Sequence, residues 1–173
     1  MTDSYSVDDG DVSILFASDP EVVFPPARAA DLLTSVRACL LGGRATLPFY
    51  RSASLRTAEK SPGDPVTEAD HAANRAVLSV LGRDCPRDPI LSEESEPPDS
   101  ASILDRLWVV DPLDGTREFI DGIDEFAVMV GLAEEGLASL GAFYVPGSGH
   151  LYVGVSEGGA WIAECEVSAG SES

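Results

Sequence analysis

The chain has 173 residues, 44% of them apolar, which predicts one globular domain long enough to bury a hydrophobic core. Thirty acidic residues against eleven basic ones give a formal net charge of -19. This charge argues against binding to a nucleic-acid polymer, because no basic surface would neutralise the phosphates.

The polar and acidic N-terminus predicts a cytoplasmic protein. The first ten residues, MTDSYSVDDG, have neither the apolar region of a secretory signal nor the arginines of a transit peptide. No apolar run is long enough to span a membrane. The three cysteines, Cys39, Cys85 and Cys165, lack metal-site spacing and are interpreted as small buried hydrophobic residues in a reducing compartment.

The first predicted elements are a leader and two helices. Residues 1–26 lack sustained periodicity and end in FPP, which predicts a loosely ordered leader. From Ala29, apolar residues at 32, 33, 36 and 40 share one helical face, and Gly42 and Gly43 are expected to weaken or end that helix. SPGDPV, residues 61–66, predicts a turn-rich connector, and Thr67 begins a second helix. Its predicted apolar face contains Ala69, Ala73, Ala76, Val77 and Val80.

The rest of the chain predicts strands. They are 89–92, 107–110, 126–133, 137–145, 151–155 and 159–163. Turn residues at 135–136 and 146–149 join consecutive strands and so predict an antiparallel meander, while 94–102 is predicted to be a surface loop. Two helices packed on a mostly antiparallel sheet make an α+β domain over residues 27–165, followed by a tail over 166–173.

The stretch WVVDPLDGTREF places two aspartates directly after an apolar strand. Asp111 and Asp114, separated by a proline-stiffened turn, could both face one cation, and the carbonyl of Leu113 lies between them. Glu93, in LSEES, ends another predicted strand, and Asp70 lies at the start of the second helix. Oxygen ligands of this kind suit a hard ion such as Mg²⁺.

Each acidic position also has a purely structural interpretation. Thr67 and Asp70 have the spacing of a helix capping box. Glu93 and Glu94 could be a solvated surface pair, and residues 111–115 could form a simple turn. The acids nevertheless share one placement, at strand ends or a helix start, and this favours a site.

Three motifs, GDPVTEAD (63–70), LSEES (91–95) and VDPLDGTREF (110–119), resemble the inositol monophosphatase family in order and spacing. The resemblance extends over residues 28–163. DPLDGT followed by a basic residue and EF is most similar to the bacterial 3'(2'),5'-bisphosphate nucleotidase branch. The resemblance implies half of a layered αβαβα sugar-phosphatase fold, with residues 27–165 as its N-terminal, metal-binding phosphatase domain.

The resemblance also implies roles for individual residues. The implied metal ligands, for two or more Mg²⁺ ions or for Mn²⁺, are Glu93, Asp111, the Leu113 carbonyl and Asp114. The implied catalytic residues are Asp70, Glu93 and Thr116, with Thr116 and Asp70 orienting the attacking water. The implied substrate-binding groups are Lys60 and the backbone N–H groups of Gly115 and Thr116.

The implied activity is hydrolysis of a small phosphorylated substrate. The first hypothesis is a nucleotidase of sulfur metabolism that converts 3'-phosphoadenosine 5'-phosphate to AMP and phosphate with a metal-activated water; the alternative is an inositol monophosphatase. Family members continue into a second domain, which we expect to be absent here because the sequence ends at Ser173. A hypothesis of another class is therefore a truncated, inactive relative that acts as an interaction module, as a homodimer or through the face the missing domain would cover.

Overall fold

The computed structural model describes residues 4–8, 13–17, 28–99 and 105–165. These residues form the predicted α+β domain, in which two long helices pack on one face of a six-stranded sheet. The helices are α1 (Ala29–Thr46), α2 (Glu68–Asp84) and the short α3 (Thr116–Ile120). The strands are β1 (Ser4–Asp8), β2 (Ser13–Ala17), β3 (Thr57–Ser61), β4 (Asp64–Thr67), β5 (Ile90–Ser92), β6 (Arg106–Asp114), β7 (Ala127–Glu134), β8 (Leu137–Val145), β9 (His150–Val155) and β10 (Gly159–Glu164).

The main sheet has the strand order β10-β9-β8-β7-β6-β5. Neighbouring strands are antiparallel from β6 to β10, which confirms the predicted meander, and β5 runs parallel to β6 at the edge. β6 extends past the predicted end at Val110 to Asp114. The sheet is therefore mostly antiparallel, with one parallel pair next to the predicted site.

The hydrophobic core lies between this sheet and the two long helices. α1 is fixed to the sheet by the Ser35 hydroxyl, which donates to the Val130 carbonyl at 2.6 Å, and by the Cys39 thiol, 3.3 Å from the Ala142 carbonyl. Cys39 and Cys165 are buried, Cys85 is half-buried, and all three are free thiols. Burial raises the pKa of each thiol, which agrees with their interpretation as hydrophobic residues.

The prediction that Gly42 and Gly43 would weaken or end the first helix is wrong about where it ends, because α1 continues through both to Thr46. A Cβ on Gly42 would lie 2.9 Å from the Val77 side chain, and one on Gly43 would lie 2.5 Å from the Tyr144 ring. Close packing against α2 and β8 therefore requires glycine here, despite a helix propensity about 1 kcal/mol below that of alanine.

The predicted connector at residues 61–66 is mostly strand, which corrects that prediction. β3 and β4 pair as an antiparallel hairpin, and the turn is confined to Pro62 and Gly63. Gly63 has a φ of +80°, in the left-handed region that favours glycine. The Arg117 guanidinium donates to the Gly63 carbonyl, so the tip of the hairpin is held against α3.

Several predicted segments fall partly outside the described residues. Within 1–26, the structure describes an antiparallel pair formed by β1 and β2. The rest of that segment, residues 100–102 of the predicted loop and the tail 166–173 lie outside the described residues, so the leader and tail stay predictions. Among the described residues, no helix is long and apolar enough to cross a membrane.

Candidate functional site

The two aspartates of the DPLDGT motif lie at the irregular end of β6. The register with β7 shifts between Asp111 and Asp114, where Pro112 has no N–H to donate to the ladder. In a regular strand, residues 111 and 114 would point to opposite faces. The irregularity interrupts this alternation, so both carboxylates can face the same space. The Asp111 carboxylate also accepts a hydrogen bond of 3.2 Å from the Leu113 N–H.

Gly115 makes the turn from β6 into α3. Its φ is +83°, and a Cβ at this position would lie 2.7 Å from the Glu125 carbonyl oxygen. Glycine is therefore required both by backbone conformation and by close approach. The turn places Thr116 at the first position of α3, directly after the two aspartates.

Asp70 combines the structural and the functional interpretations made from sequence. One carboxylate oxygen, Oδ2, accepts hydrogen bonds from the Thr67 N–H at 2.8 Å and the Thr67 hydroxyl at 2.7 Å, completing the capping box of α2. The other oxygen, Oδ1, accepts from the Thr116 hydroxyl at 3.1 Å. Asp70 is 2% exposed, so this carboxylate is fixed by protein partners.

The Thr116 hydroxyl lies between two acceptors. Its oxygen is 3.1 Å from Asp70 Oδ1 and 3.1 Å from the Leu113 carbonyl. A hydroxyl has a single proton to donate and two lone pairs. With that proton directed to protein oxygens, the lone pairs remain to accept a hydrogen bond from water.

Asp111 lies in a strongly acidic environment. The pKa of its carboxyl is raised to about 7, mainly by burial and then by the negative charges of Glu93 and Asp114 and a hydrogen bond with Glu93. Clustered carboxylates are costly to ionise together unless a cation compensates them. The chemistry of these oxygen donors therefore fits a divalent cation.

Lys60, on the β3–β4 hairpin, reaches the LSEES segment. Its ammonium donates to the Glu93 carboxylate at 2.7 Å and forms an ion pair with Glu94. Burial acts to lower the pKa of Lys60, but the hydrogen bonds to the two glutamates outweigh it, and the pKa is raised. The Glu93 side chain is 49% exposed and that of Glu94 only 6%, so the two are not the solvated pair of the structural interpretation.

An acidic cluster at the opposite end of β6 is compensated differently. There Arg106 pairs with Asp31 and Asp88, each at 2.6 Å, and with Glu134. The Trp108 indole N–H also donates to Asp88 at 3.1 Å. Arginine neutralises the acids at the start of the strand, whereas at its end the charges nearest Asp111 are negative.

In the part of the chain that the structure describes, no three His, Cys, Asp or Glu side chains have the spacing of a metal site. One predicted ligand, Leu113, contributes a backbone carbonyl, and the Glu93 carboxylate is bonded to the Lys60 ammonium. Hydrogen bonds nevertheless link Thr116 to Asp70 and Leu113, and Glu93 to Lys60. Glu93 and Asp114 also act on the charge of Asp111, and the roles of all these residues stay predictions.

A comparison with protein-family models supplies the decisive observation. The model described as the inositol monophosphatase family matches residues 34–173, which contain every predicted site residue. The chain belongs to the inositol monophosphatase family. The family resemblance given by the three sequence motifs is confirmed.

Curated and solved family members include proteins with different names. A 3'(2'),5'-bisphosphate nucleotidase CysQ of Salmonella typhimurium is 41% identical over 127 residues, 72% of this chain and 51% of that protein. A histidinol-phosphatase of Chlorobaculum parvum is 33% identical over 132 residues, 76% of this chain and 50% of that protein. A crystal structure of CysQ from Bacteroides thetaiotaomicron aligns with a TM-score of 0.68 and 33% identity, covering 83% of this chain and 52% of the other.

The chain therefore spans about half the length of the curated relatives it matches. The fold assignment is confirmed, since the solved family member superposes over most of this chain. The relatives are named after different substrates, so family membership by itself does not assign one of these substrates to this chain.

Sequence reasoning missed three residues around the predicted site. Glu94 was interpreted only as part of a surface pair or loop. Asn74 lies on α2 with 7% exposure, and Ser92, 2% exposed, donates to its side-chain oxygen at 2.7 Å. One signal was available: Asn74 is a polar residue four positions after Asp70, on a helix face that also carries the apolar residues Ala73 and Val77.

Proposed function

We propose that this chain is the metal-binding half of a Mg²⁺-dependent phosphomonoesterase. The observation that carries the proposal is the half-buried Asp111 carboxyl, whose pKa of about 7 reflects its burial beside Glu93 and Asp114. A structural acid would be expected to have a basic partner, as Asp31 and Asp88 have in Arg106. Acids that crowd one another at the end of a strand favour a cation site.

The proposed ligands are the carboxylates of Glu93, Asp111 and Asp114 with the carbonyl of Leu113. Hard oxygen donors of this type suit Mg²⁺, with Mn²⁺ as a substitute, and the family resemblance favours two or more ions. Bound Mg²⁺ would supply charge neutralisation for the phosphate ester and activation of water. The cations would also allow an anionic ester to approach a chain with a net charge of -19.

Thr116 and Asp70 are proposed to position the attacking water. The hydroxyl of Thr116 directs its proton to protein oxygens and can accept a hydrogen bond from water, which would aim the water oxygen at phosphorus. Attack by the water oxygen forms the new P–O bond and breaks the ester P–O bond; the water releases one proton to solvent, and the leaving oxygen takes up one proton from solvent to become a hydroxyl group. No residue needs to form a covalent intermediate.

The proposed phosphate-binding groups lie at the start of α3 and on the β3–β4 hairpin. The N–H groups of Gly115 and Thr116 would donate to phosphate oxygens, and Lys60 would offer a positive charge. Lys60 is engaged with Glu93 and Glu94, so binding of a cation by Glu93 would release part of its ammonium for phosphate.

The first candidate substrate is 3'-phosphoadenosine 5'-phosphate, hydrolysed to AMP and phosphate. It is supported by the DPLDGTREF form and by 41% identity to a protein named 3'(2'),5'-bisphosphate nucleotidase. Inositol 1-phosphate remains the alternative within the family, and the name of another relative adds histidinol phosphate. The same metal chemistry would serve all three esters.

The outer face of the sheet is the proposed contact surface for the remainder of the enzyme. It carries an apolar groove of about 300 Å³ lined by Gly131, Gly141, Phe143, Tyr152 and Gly154, among others. The helices α1 and α2 pack on the opposite face. A second domain in a longer chain is the proposed occupant, and a second copy of this chain is the alternative.

The experiment compares specificity constants of the full gene product that contains this chain. With Mg²⁺ present, kcat/KM for phosphate release should be highest for 3'-phosphoadenosine 5'-phosphate. A higher kcat/KM for inositol 1-phosphate or histidinol phosphate would replace the first candidate. Absence of Mg²⁺-dependent phosphate release from all three esters would overturn the proposed function.

A further inference from the structure

Glu93 follows a strand that has a neighbour on one side only. β5 is three residues long and lies at the sheet edge, paired with β6. The Glu93 N–H donates to the Val110 carbonyl at 3.2 Å, after which the chain turns, with the Ser95 N–H donating to the Ser92 carbonyl at 3.2 Å. The direction of the Glu93 side chain therefore depends on its salt bridge with Lys60 and on what holds this turn on the side away from β6.

Asn74 holds the turn from α2. Its side-chain N–H groups donate to the Glu94 carbonyl at 3.3 Å and the Ser95 hydroxyl at 3.1 Å. Its side-chain oxygen accepts from the Ser92 hydroxyl at 2.7 Å. The amide thus uses both donors and its acceptor on residues 92–95, on both sides of Glu93.

The burial of this contact distinguishes it from a surface hydrogen bond. Asn74 is 7% exposed and Ser92 2% exposed, and a buried amide is costly unless it is hydrogen-bonded. Asn74 also follows Asp70 by four residues, so both lie on the same face of α2. One rigid helix face therefore holds the acceptor of Thr116 and the turn that carries Glu93.

We propose that Asn74 is a positioning residue that, together with Ser92, fixes the turn aiming Glu93 at Asp111. The inference rests on the proposed function, in which Glu93 is a metal ligand. Residues that orient a ligating side chain typically change metal affinity by 10–100-fold when they are removed. Asn74→Ala should accordingly weaken Mg²⁺ binding by about tenfold or more.

The chain offers a matched control for the hydroxyl partner. Ser92→Ala removes a buried hydroxyl that donates at 2.7 Å to Asn74, and Ser35→Ala removes a buried hydroxyl of α1 that donates at 2.6 Å to the Val130 carbonyl of β7. Both substitutions should lower the melting temperature of the 173-residue chain by similar amounts. Only Ser92→Ala should weaken Mg²⁺ binding measured by calorimetry, and combining it with Asn74→Ala should add little.

Amide hydrogen exchange gives a second measurement that needs no metal. Exchange of the Glu93 and Ser95 N–H groups should be faster in Asn74→Ala and Ser92→Ala than in the wild type or in Ser35→Ala. If Asn74→Ala does not fold, Mg²⁺ binding and amide exchange are both measured on Ser92→Ala.

The outcomes separate the inference from the proposed function. Equal Mg²⁺ dissociation constants for the wild type, Asn74→Ala and Ser92→Ala would overturn the inference while the metal site stands. If the wild type binds no Mg²⁺, the metal site of the proposed function fails. Amide exchange then decides whether Asn74 fixes the turn, and unchanged exchange at Glu93 and Ser95 would overturn that as well.

Discussion

Replacing Asp111 by asparagine should stabilise the metal-free chain at neutral pH and weaken its Mg²⁺ complex. The pKa of the carboxyl is about 7 in the folded chain against an ordinary value of 3.8. Below the lower value both folded and unfolded states hold the proton. As pH rises from about 4 to about 7, the unfolded state releases its proton first, so the folded state loses stability over this window.

The size of the effect follows from the same shift. A change from 3.8 to about 7 corresponds to at most about 4 kcal/mol in the free energy of unfolding. Asp111 is only half-buried, so solvent screening reduces the expected cost to about 2 kcal/mol. Asparagine cannot ionise, and its side-chain oxygen can still accept from the Leu113 N–H, so the variant should avoid this cost.

Urea unfolding of the wild type and Asp111→Asn tests the reasoning. In metal-free buffer the variant should be more stable by about 2 kcal/mol at about pH 8 and nearly equal at about pH 4. Millimolar Mg²⁺ should reverse the order at the higher pH, because only the wild type retains the third carboxylate. Asp64→Asn, at an exposed position of β4, should show neither effect. A variant less stable than the wild type at both pH values without metal would refute the argument.

Three further comparisons test separate features of the structure. In the full gene product, Thr116→Ala should lower phosphate release by about a hundredfold, or about 3 kcal/mol, with Mg²⁺ affinity nearly unchanged. In the 173-residue chain, phosphate release should be near background for both the wild type and Thr116→Ala. Gly115→Ala should lower the melting temperature more than Gly136→Ala, since both glycines have positive φ but only the first Cβ would approach a backbone oxygen, at 2.7 Å. Gly43→Ala should destabilise α1 because its Cβ would meet an aromatic ring of β8 at 2.5 Å, whereas Gly82→Ala, with nothing within 4 Å, should stabilise α2 by up to about 1 kcal/mol. Equal melting temperatures within either glycine pair would contradict the contact argument for that pair.

Features with a local cause could be predicted from the sequence. The strands of the meander follow from short apolar segments separated by turn residues, and 137–145 matches β8 at both ends. The capping box was visible in the spacing of Thr67 and Asp70. The short helix α3 was not predicted, because its five residues are too few to show helical periodicity.

Features that depend on residues distant in sequence could not be predicted from local patterns. Gly42 and Gly43 weaken a helix by propensity, yet the approach of Val77 and Tyr144 requires them within α1. The second bond of Asp70 joins it to Thr116, 46 residues away, and only the family resemblance placed the two in one site. Asn74 was missed because its partners lie beyond the end of its own helix.

The salt bridge on the β3–β4 hairpin involves Lys60, the only lysine in the 173-residue sequence. In the 173-residue chain the Lys60 side chain is therefore the single primary amine apart from the α-amino group of the first residue, which loses its proton at lower pH. An amine-directed acylating reagent, applied after the N-terminus has been blocked, would modify one residue. Its rate would measure how often the Lys60 ammonium leaves Glu93 and Glu94, and any ion that occupies those carboxylates would change that rate.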